Sequence, residues 1–256
     1  MRILISNDDG INATGIKALL KPLQQAGHEI IVVAPDKENS AQSHAITVHE
    51  PIFLEEYTFA ENADIKAWVV CGRPADCTKI ALEVILTDKM PDLVISGINN
   101  GSNLGLDTIY SGTVSAALEA SMHNIPAIAV SLDSRSKQAD FSVAAEITVK
   151  LVDEYQKLAL PKGTMLNVNV PAVTAEKIKG IRVAKLGNIS YDNVFAERKD
   201  LRGRTYYWLG GEAVIYDSED LSVDTGAVRN NWVAVTPLCY DLTDQASLAK
   251  IKDVII

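Results

Sequence analysis

Two carboxylates stand side by side in Asn7-Asp8-Asp9-Gly10, directly after the apolar run Ile3-Leu4-Ile5, which reads as a β-strand. Adjacent carboxylates repel, and the repulsion is relieved by protonation, by a cationic side chain or by a metal ion. No lysine or arginine adjoins the pair. A cation is therefore the natural hypothesis, and the oxygen-bearing Ser40, Asn99 and Asn103 in later loops favour a hard one, Mg²⁺ or Mn²⁺, one per chain. The pair has a second reading, an Asx turn that caps the following helix.

The other chemical feature is Ser111-Gly112-Thr113, immediately before an Ala-rich segment. Free N–H groups at a helix start, the positive end of the dipole and two hydroxyls suit phosphate oxygens, although a Ser there can be no more than a cap. The approach GINNGSNLG, in which Gly97, Gly101 and Gly105 let backbone come close to a ligand, turns the reading toward an anion site. A metal beside an anion cradle is the layout of a phosphoryl-transfer enzyme. Asp8 and Asp9 are then the catalytic candidates, either of them able to orient an attacking water. Asn103, Ser111 and Thr113 are the phosphate-binding candidates. His44 shares the Ser40 loop and is a candidate for substrate contact or proton transfer, whereas His28, His49 and His123 read as packing or surface residues. Residues 197–204, ERKDLRGR, form the one basic cluster and read as a solvated hairpin tip. Neither a GxxxxGK[ST] loop nor a GxSxG elbow is present.

These groups need a scaffold that brings distant loops together. Residues 2–6 and 28–34 are short Ile/Val-rich runs separated by a segment whose Ile16, Leu19, Leu20 and Leu23 fall at helical spacing, with Gly27 as the stop. The alternation continues. Strand-like 67–70, 92–96 and 126–132 are interleaved with helix-like segments from Pro74 and from Thr113, and then come a long helix over 141–158 and a strand over 165–170. This pattern predicts an α/β, Rossmann-like, mostly parallel sheet with helices on both faces. Ligands bind such sheets beyond the carboxyl ends of the strands, where the loops after residues 6, 34 and 96 converge. From about 185 onward YYWLGGEAVIY and WVAVTP are aromatic and β-branched with Gly and Asp between them, which predicts antiparallel hairpins. The expected organisation is a metal- and phosphate-binding core over 1–184 and a β-hairpin-rich appendage with a C-terminal helix over 185–256, an oligomerisation element.

The 256 residues suffice for one large α/β unit, and 47% hydrophobic with 22% charged residues is an ordinary globular composition. A net charge of −9 disfavours duplex nucleic acid and anionic membrane as partners. Three cysteines without CxxC spacing predict reduced, buried thiols rather than disulfides or a zinc cluster. No signal-like or membrane-length apolar run is present, so the expected location is the cytoplasm.

NDDG at 7–10, APDxxxS at 34–40, SGINxGxNxG at 96–105 and YSGTVSAALE at 110–119 resemble the signature segments of the SurE (survival protein E) nucleotidases. RGRTYYWLGG, DTGAV and VTPLCYDLT are similar to that family's C-terminal region, so the resemblance runs nearly end to end. It implies a metal-dependent 5′/3′-nucleotidase that hydrolyses nucleoside monophosphates with metal-activated water, a Rossmann-like core and a homodimer or homotetramer. By motif position Asp8, Asp9, Ser40 and Asn99 correspond to metal ligands, and Ser111-Gly112-Thr113, with Asn99 beside it, to the phosphate-binding turn. One departure is Ala41, where glycine is expected. Rival readings are a phosphatase working through an aspartyl-phosphate, a receiver-like phosphoacceptor and a nonenzymatic nucleotide-binding protein.

Overall fold

The computed structural model describes residues 1–192 and 195–255. The chain runs β1 (Arg2–Ser6), α1 (Thr14–Gln25), β2 (Glu29–Pro35), β3 (Phe53–Phe59), β4 (Asn62–Cys71), α2 (Pro74–Ile80), β5 (Leu93–Asn100), α3 (Asp107–Tyr110), α4 (Gly112–Met122), β6 (Ala127–Asp133), α5 (Ser142–Tyr155) and β7 (Thr164–Pro171). It continues with β8 (Ile181–Val183), β9 (Ile189–Asp192), β10 (Phe195–Lys199), β11 (Thr205–Leu209), β12 (Glu212–Ile215), α6 (Asp224–Arg229), β13 (Val233–Cys239) and α7 (Gln245–Ile255).

Nine strands form one sheet in the order β3-β4-β2-β1-β5-β6-β7-β13-β8. The six from β4 to β7 are mutually parallel. The physical basis is visible in β1, whose period-2 alternation sends Ile3 and Ile5 into the core under α1 and α5 and Leu4 into the core under α2 and α4. A strand covered on both faces has to be apolar throughout, which is why the run reads as continuous Ile and Leu. Helix α1 buries Ile16, Leu19, Leu20 and Leu23 as one stripe, and Gly27, at φ +85°, ends its turn. Gly15 lets α1 lie directly on β5, where a Cβ would collide with the carbonyl oxygen of Ile98. The chain leaves β1 toward β2 on one side and later returns to pair β5 on the other. The strand order therefore reverses between β1 and β5, and a crevice opens beyond their carboxyl ends.

Two sequence expectations need correction. Residues 233–239, which contain most of WVAVTP, do not fold with the hairpins: they pair antiparallel with β7 as an inner strand of the central sheet, with Val233, Ala234 and Val235 buried. β-branched composition reports a pleated, covered strand but not which neighbour covers it. The thiols also differ from expectation, because all three cysteines are free but only Cys77 is buried; Cys71 and Cys239 are exposed at strand ends. The hairpins themselves are present as two small antiparallel sheets, β10 with β11 and β12 with β9. No helix among the described residues is long and apolar enough to cross a membrane.

Candidate metal and phosphate site

Strand β1 ends at Ser6, and the chain turns through Asn7, whose buried amide donates to the Gly10 carbonyl oxygen at 2.9 Å. This is a side-chain donation to a carbonyl and not the Asx turn anticipated for the segment, and helix α1 begins after Ala13 without a side-chain cap. Asp8 is only 4% exposed. Its Oδ1 accepts a hydrogen bond from the Thr113 hydroxyl, at the start of α4, 105 positions away in the chain. Gly112 makes this approach possible, since a Cβ there would lie 2.7 Å from Asp8 Cβ and 2.9 Å from Asp8 Oδ2. Asp9 is half-buried, and its Oδ2 accepts from the Asn100 N–H at 3.3 Å, at the carboxyl end of β5.

Electrostatics follow from this burial. Desolvation, partly offset by the Thr113 hydroxyl and reinforced by the neighbouring Asp9 charge, pushes the Asp8 carboxyl up to about 7. Burial also raises Asp9, with the Glu38 charge adding to it. No lysine or arginine forms an ion pair with either aspartate among the described residues. Two carboxylates are held together here without a protein countercharge.

Asn99 donates its Nδ2 to the Gly101 carbonyl at 2.7 Å, which fixes the amide and leaves Oδ1 as the atom available to a ligand. Ser40 sits on the exposed arch after β2, which is bound to the end of β1 by the Asn39 N–H donating to the Asp8 carbonyl at 2.7 Å. The Ser40 hydroxyl donates to Glu38 at 2.7 Å. The four metal candidates thus stand on the loops after β1 and β2 and at the carboxyl end of β5, which lie side by side in the sheet. Their donors are two carboxylates, an amide oxygen and a hydroxyl, a hard-oxygen set suited to Mg²⁺ or Mn²⁺. Among the described residues no group of three or more His, Cys, Asp and Glu side chains could hold a metal, so any ion here depends on neutral oxygens to complete its shell.

Ser111 realises its capping role, its Oγ accepting from the Val114 N–H at 3.0 Å. The cap and the anion-binding readings coexist, because the first N–H groups of a helix have no intrahelical carbonyl to bond. Two other candidates are bonded to neighbouring side chains. Asn103 is buried in an amide network, its Nδ2 donating to Ser131 Oγ at 2.8 Å and its carbonyl accepting from Asn167 and Asn169 at 2.9 and 3.0 Å. His44 turns toward α4, where its Nε2 donates to Glu119 Oε2 at 2.8 Å.

Sequence reading missed the acidic residues that hold these loops. Asp224, buried on α6, accepts from the N–H groups of Gly105 and Gly187 at 3.0 and 2.7 Å and so secures the glycine-rich segment. Asp76 accepts from the Thr47 N–H and hydroxyl at 2.9 and 2.6 Å, anchoring the far end of the Ser40 loop. The available signal was a lone acidic residue within an otherwise small and apolar helix face, as at Glu119 in SAALEASM.

Comparison with known proteins agrees with this architecture. The family model described as survival protein SurE matches residues 3–193. A protein named 5′-nucleotidase SurE from Carboxydothermus hydrogenoformans is 49% identical over 98% of this chain and 95% of its own. Another of the same name, from Alkaliphilus metalliredigens, is 46% identical over 99% of this chain and 98% of its own. The crystal structure of the SurE protein from Aquifex aeolicus superposes with a TM-score of 0.84 at 38% identity, covering 99% of both chains. A central sheet of this order, its acidic pair at the β1–β5 crevice and matches that span the chain together place it in the SurE family.

Proposed function

We propose that the protein is a metal-dependent nucleotidase that hydrolyses nucleoside 5′- and 3′-monophosphates to nucleoside and phosphate. The observation that carries this reading is the pair Asp8 and Asp9, desolvated, without a cationic partner among the described residues, and abutting the start of α4 through Asp8. The names of the relatives support a nucleotide as substrate. Asp8, Asp9, Ser40 and the Asn99 Oδ1 would hold one divalent cation, Mn²⁺ or Mg²⁺. When bound, such an ion supplies charge neutralisation for the phosphoryl oxygens and a more acidic water.

The chain's own groups divide the remaining work. Ser111, Gly112 and Thr113 present hydroxyls and the positive end of α4 to the phosphate. Thr113 also orients Asp8, so binding of phosphate and placement of that carboxylate are tied to one residue. Either carboxylate would orient the attacking water, and the smaller burial of Asp9 favours Asp9 as the acceptor of its proton. Asn103 would add a donor to the phosphate through the second hydrogen of its amide nitrogen, while its bond to Ser131 supports the glycine-rich loop. The aromatic hairpins are proposed as the contact between subunits of a homodimer or homotetramer.

Phosphate release from AMP and from p-nitrophenyl phosphate tests the reading, with protein stripped by EDTA and then given Mn²⁺, Mg²⁺ or neither. Continuous release that requires added metal is expected. Folded protein that releases none with any metal, or that accumulates a hydroxylamine-sensitive phosphoprotein, overturns it.

A further inference from the structure

The segment that carries Ser40 is tied down at four points. Asn39 N–H donates to the Asp8 carbonyl at 2.7 Å, and Ser43 donates through its N–H to Tyr110 O at 2.9 Å and through its hydroxyl to Ile109 O at 2.6 Å. Thr47 donates to Asp76 on α2, and His44 to Glu119 on α4. Between them Ser40, Ala41 and Gln42 form an exposed arch, in which Ala41 adopts φ +56°. The Ser40 hydroxyl has only the exposed Glu38 as partner, so nothing in the arch itself aims it at Asp8 and Asp9.

Glu119 is an unusual anchor. It is 5% exposed on a helix otherwise packed with small residues, and three cationic or polarisable groups converge on it: His44 at 2.8 Å, His123 at 3.4 Å and Lys79 at 3.6 Å. Burial would push its carboxyl up, but the His44 hydrogen bond and the charges of His44, Lys79 and His123 outweigh this and hold it below the ordinary glutamate range. Glu119 thus stays ionised while buried and unable to swing away. Of its three partners only His44 lies on the Ser40 segment; Lys79 is on α2 and His123 at the end of α4 itself. Helix α4 begins at the Ser111–Thr113 turn. The His44–Glu119 bond therefore joins the arch of one proposed metal ligand to the rod whose other end would hold phosphate.

We propose that His44 is a positioning residue: by clasping Glu119 it sets the Ser40 arch against α4 and fixes the shape of the metal site without touching metal or substrate. This rests on the metallonucleotidase reading and adds to it a residue whose role is mechanical. Outer groups that orient metal ligands typically cost about tenfold or more in metal affinity when removed.

The test is Mn²⁺ binding to EDTA-stripped full-length protein by calorimetry, with AMP kinetics beside it, for wild type, His44→Ala, His44→Gln, Lys79→Ala and His123→Ala. Expected for His44→Ala is Mn²⁺ affinity weakened about tenfold, with the KM for AMP at saturating Mn²⁺ within twofold of wild type. His44→Gln, whose amide can still donate to Glu119, restores most of the affinity. Lys79→Ala and His123→Ala remove partners of the same carboxylate without touching the arch and leave Mn²⁺ affinity within twofold. The proposal is overturned if His44→Ala binds Mn²⁺ as wild type does, or if only its KM rises, which would mark a substrate contact. It is overturned equally if all three alanine variants weaken binding alike, which would mark general destabilisation. Wild-type protein that binds no Mn²⁺ would overturn the metallonucleotidase reading and this inference with it, whereas normal wild-type binding with an unaffected His44→Ala removes the inference alone.

Discussion

The crevice beyond β1 and β5 and the hairpins that follow β8 are built in opposite ways. In the crevice, buried polar groups are held by partners far along the chain, as Asp8 is by Thr113 and the Gly105 N–H by Asp224. In the hairpins, apolar groups are exposed: Phe195 and Trp208 at 66%, Leu209 at 70% and Tyr207 at 59%. An isolated two-stranded hairpin is marginal in water, and these exposed aromatics are the surface that the proposed subunit contact would cover. The crevice buries its polar groups against its own chain, whereas the hairpins leave apolar groups at the surface.

The largest effect that would break this contrast concerns Asp9. Asp9→Asn keeps the shape of the side chain and its acceptor oxygen for Asn100 but removes the charge, and should lower AMP turnover by roughly 10²–10³-fold, the scale seen when one group stabilising a transition state is lost. Far-UV circular dichroism should be unchanged, and full activity would refute the site. Next in size is the dependence of stability on pH. Burial pushes the Asp8 carboxyl up to about 7 in the folded protein against 3.8 for an ordinary aspartate, so the folded state binds the extra proton between those values. Its contribution is fully present below about pH 4, is lost as pH rises through 7, and is on the order of 4 kcal/mol. EDTA-treated protein should accordingly melt lower at pH 8 than at pH 5, and the rise in Tm on adding Mn²⁺ should be larger at pH 8. An equal Mn²⁺ effect at both values would separate the ion from Asp8.

The hairpins predict a different signature. Trp208→Ser should reduce the mass measured by light scattering while leaving crevice chemistry, read as Mn²⁺ affinity, within twofold. A monomeric wild type would remove the assembly role. The smallest effect belongs to the Ser40 arch, where Ala41 stands at φ +56°. Ala41→Gly relieves that left-handed strain but raises the entropy of the unfolded chain, and the two terms nearly cancel to leave stability within roughly 1 kcal/mol by urea titration.

Much of the fold was legible because its signals are local. The β-α alternation through residue 171 follows from period 2 in strands such as Ile3-Leu4-Ile5 and near period 3.6 in Ile16, Leu19, Leu20 and Leu23, each dictated by which faces meet the core. The β3–β4 hairpin was read only at residues 67–70, because Glu55 and Glu56 on an exposed edge strand carry no such periodicity. The return of 233–239 to the sheet was illegible for a related reason, since a buried β-branched run fits any covered position.

The sequence by itself determined that acidic, amide and hydroxyl groups follow the first, second and middle parallel strands. Hydrophobic period and turn residues place those groups on one edge whatever their detailed contacts. Only the tertiary structure decided what each group does there. It desolvated Asp8 against Gly112 and Thr113, bonded Asn103 to Ser131, Asn167 and Asn169, and joined His44 to Glu119. These outcomes depend on packing between segments tens of residues apart, where a shift of about an ångström makes or breaks a hydrogen bond, and no local period in the chain encodes such a distance.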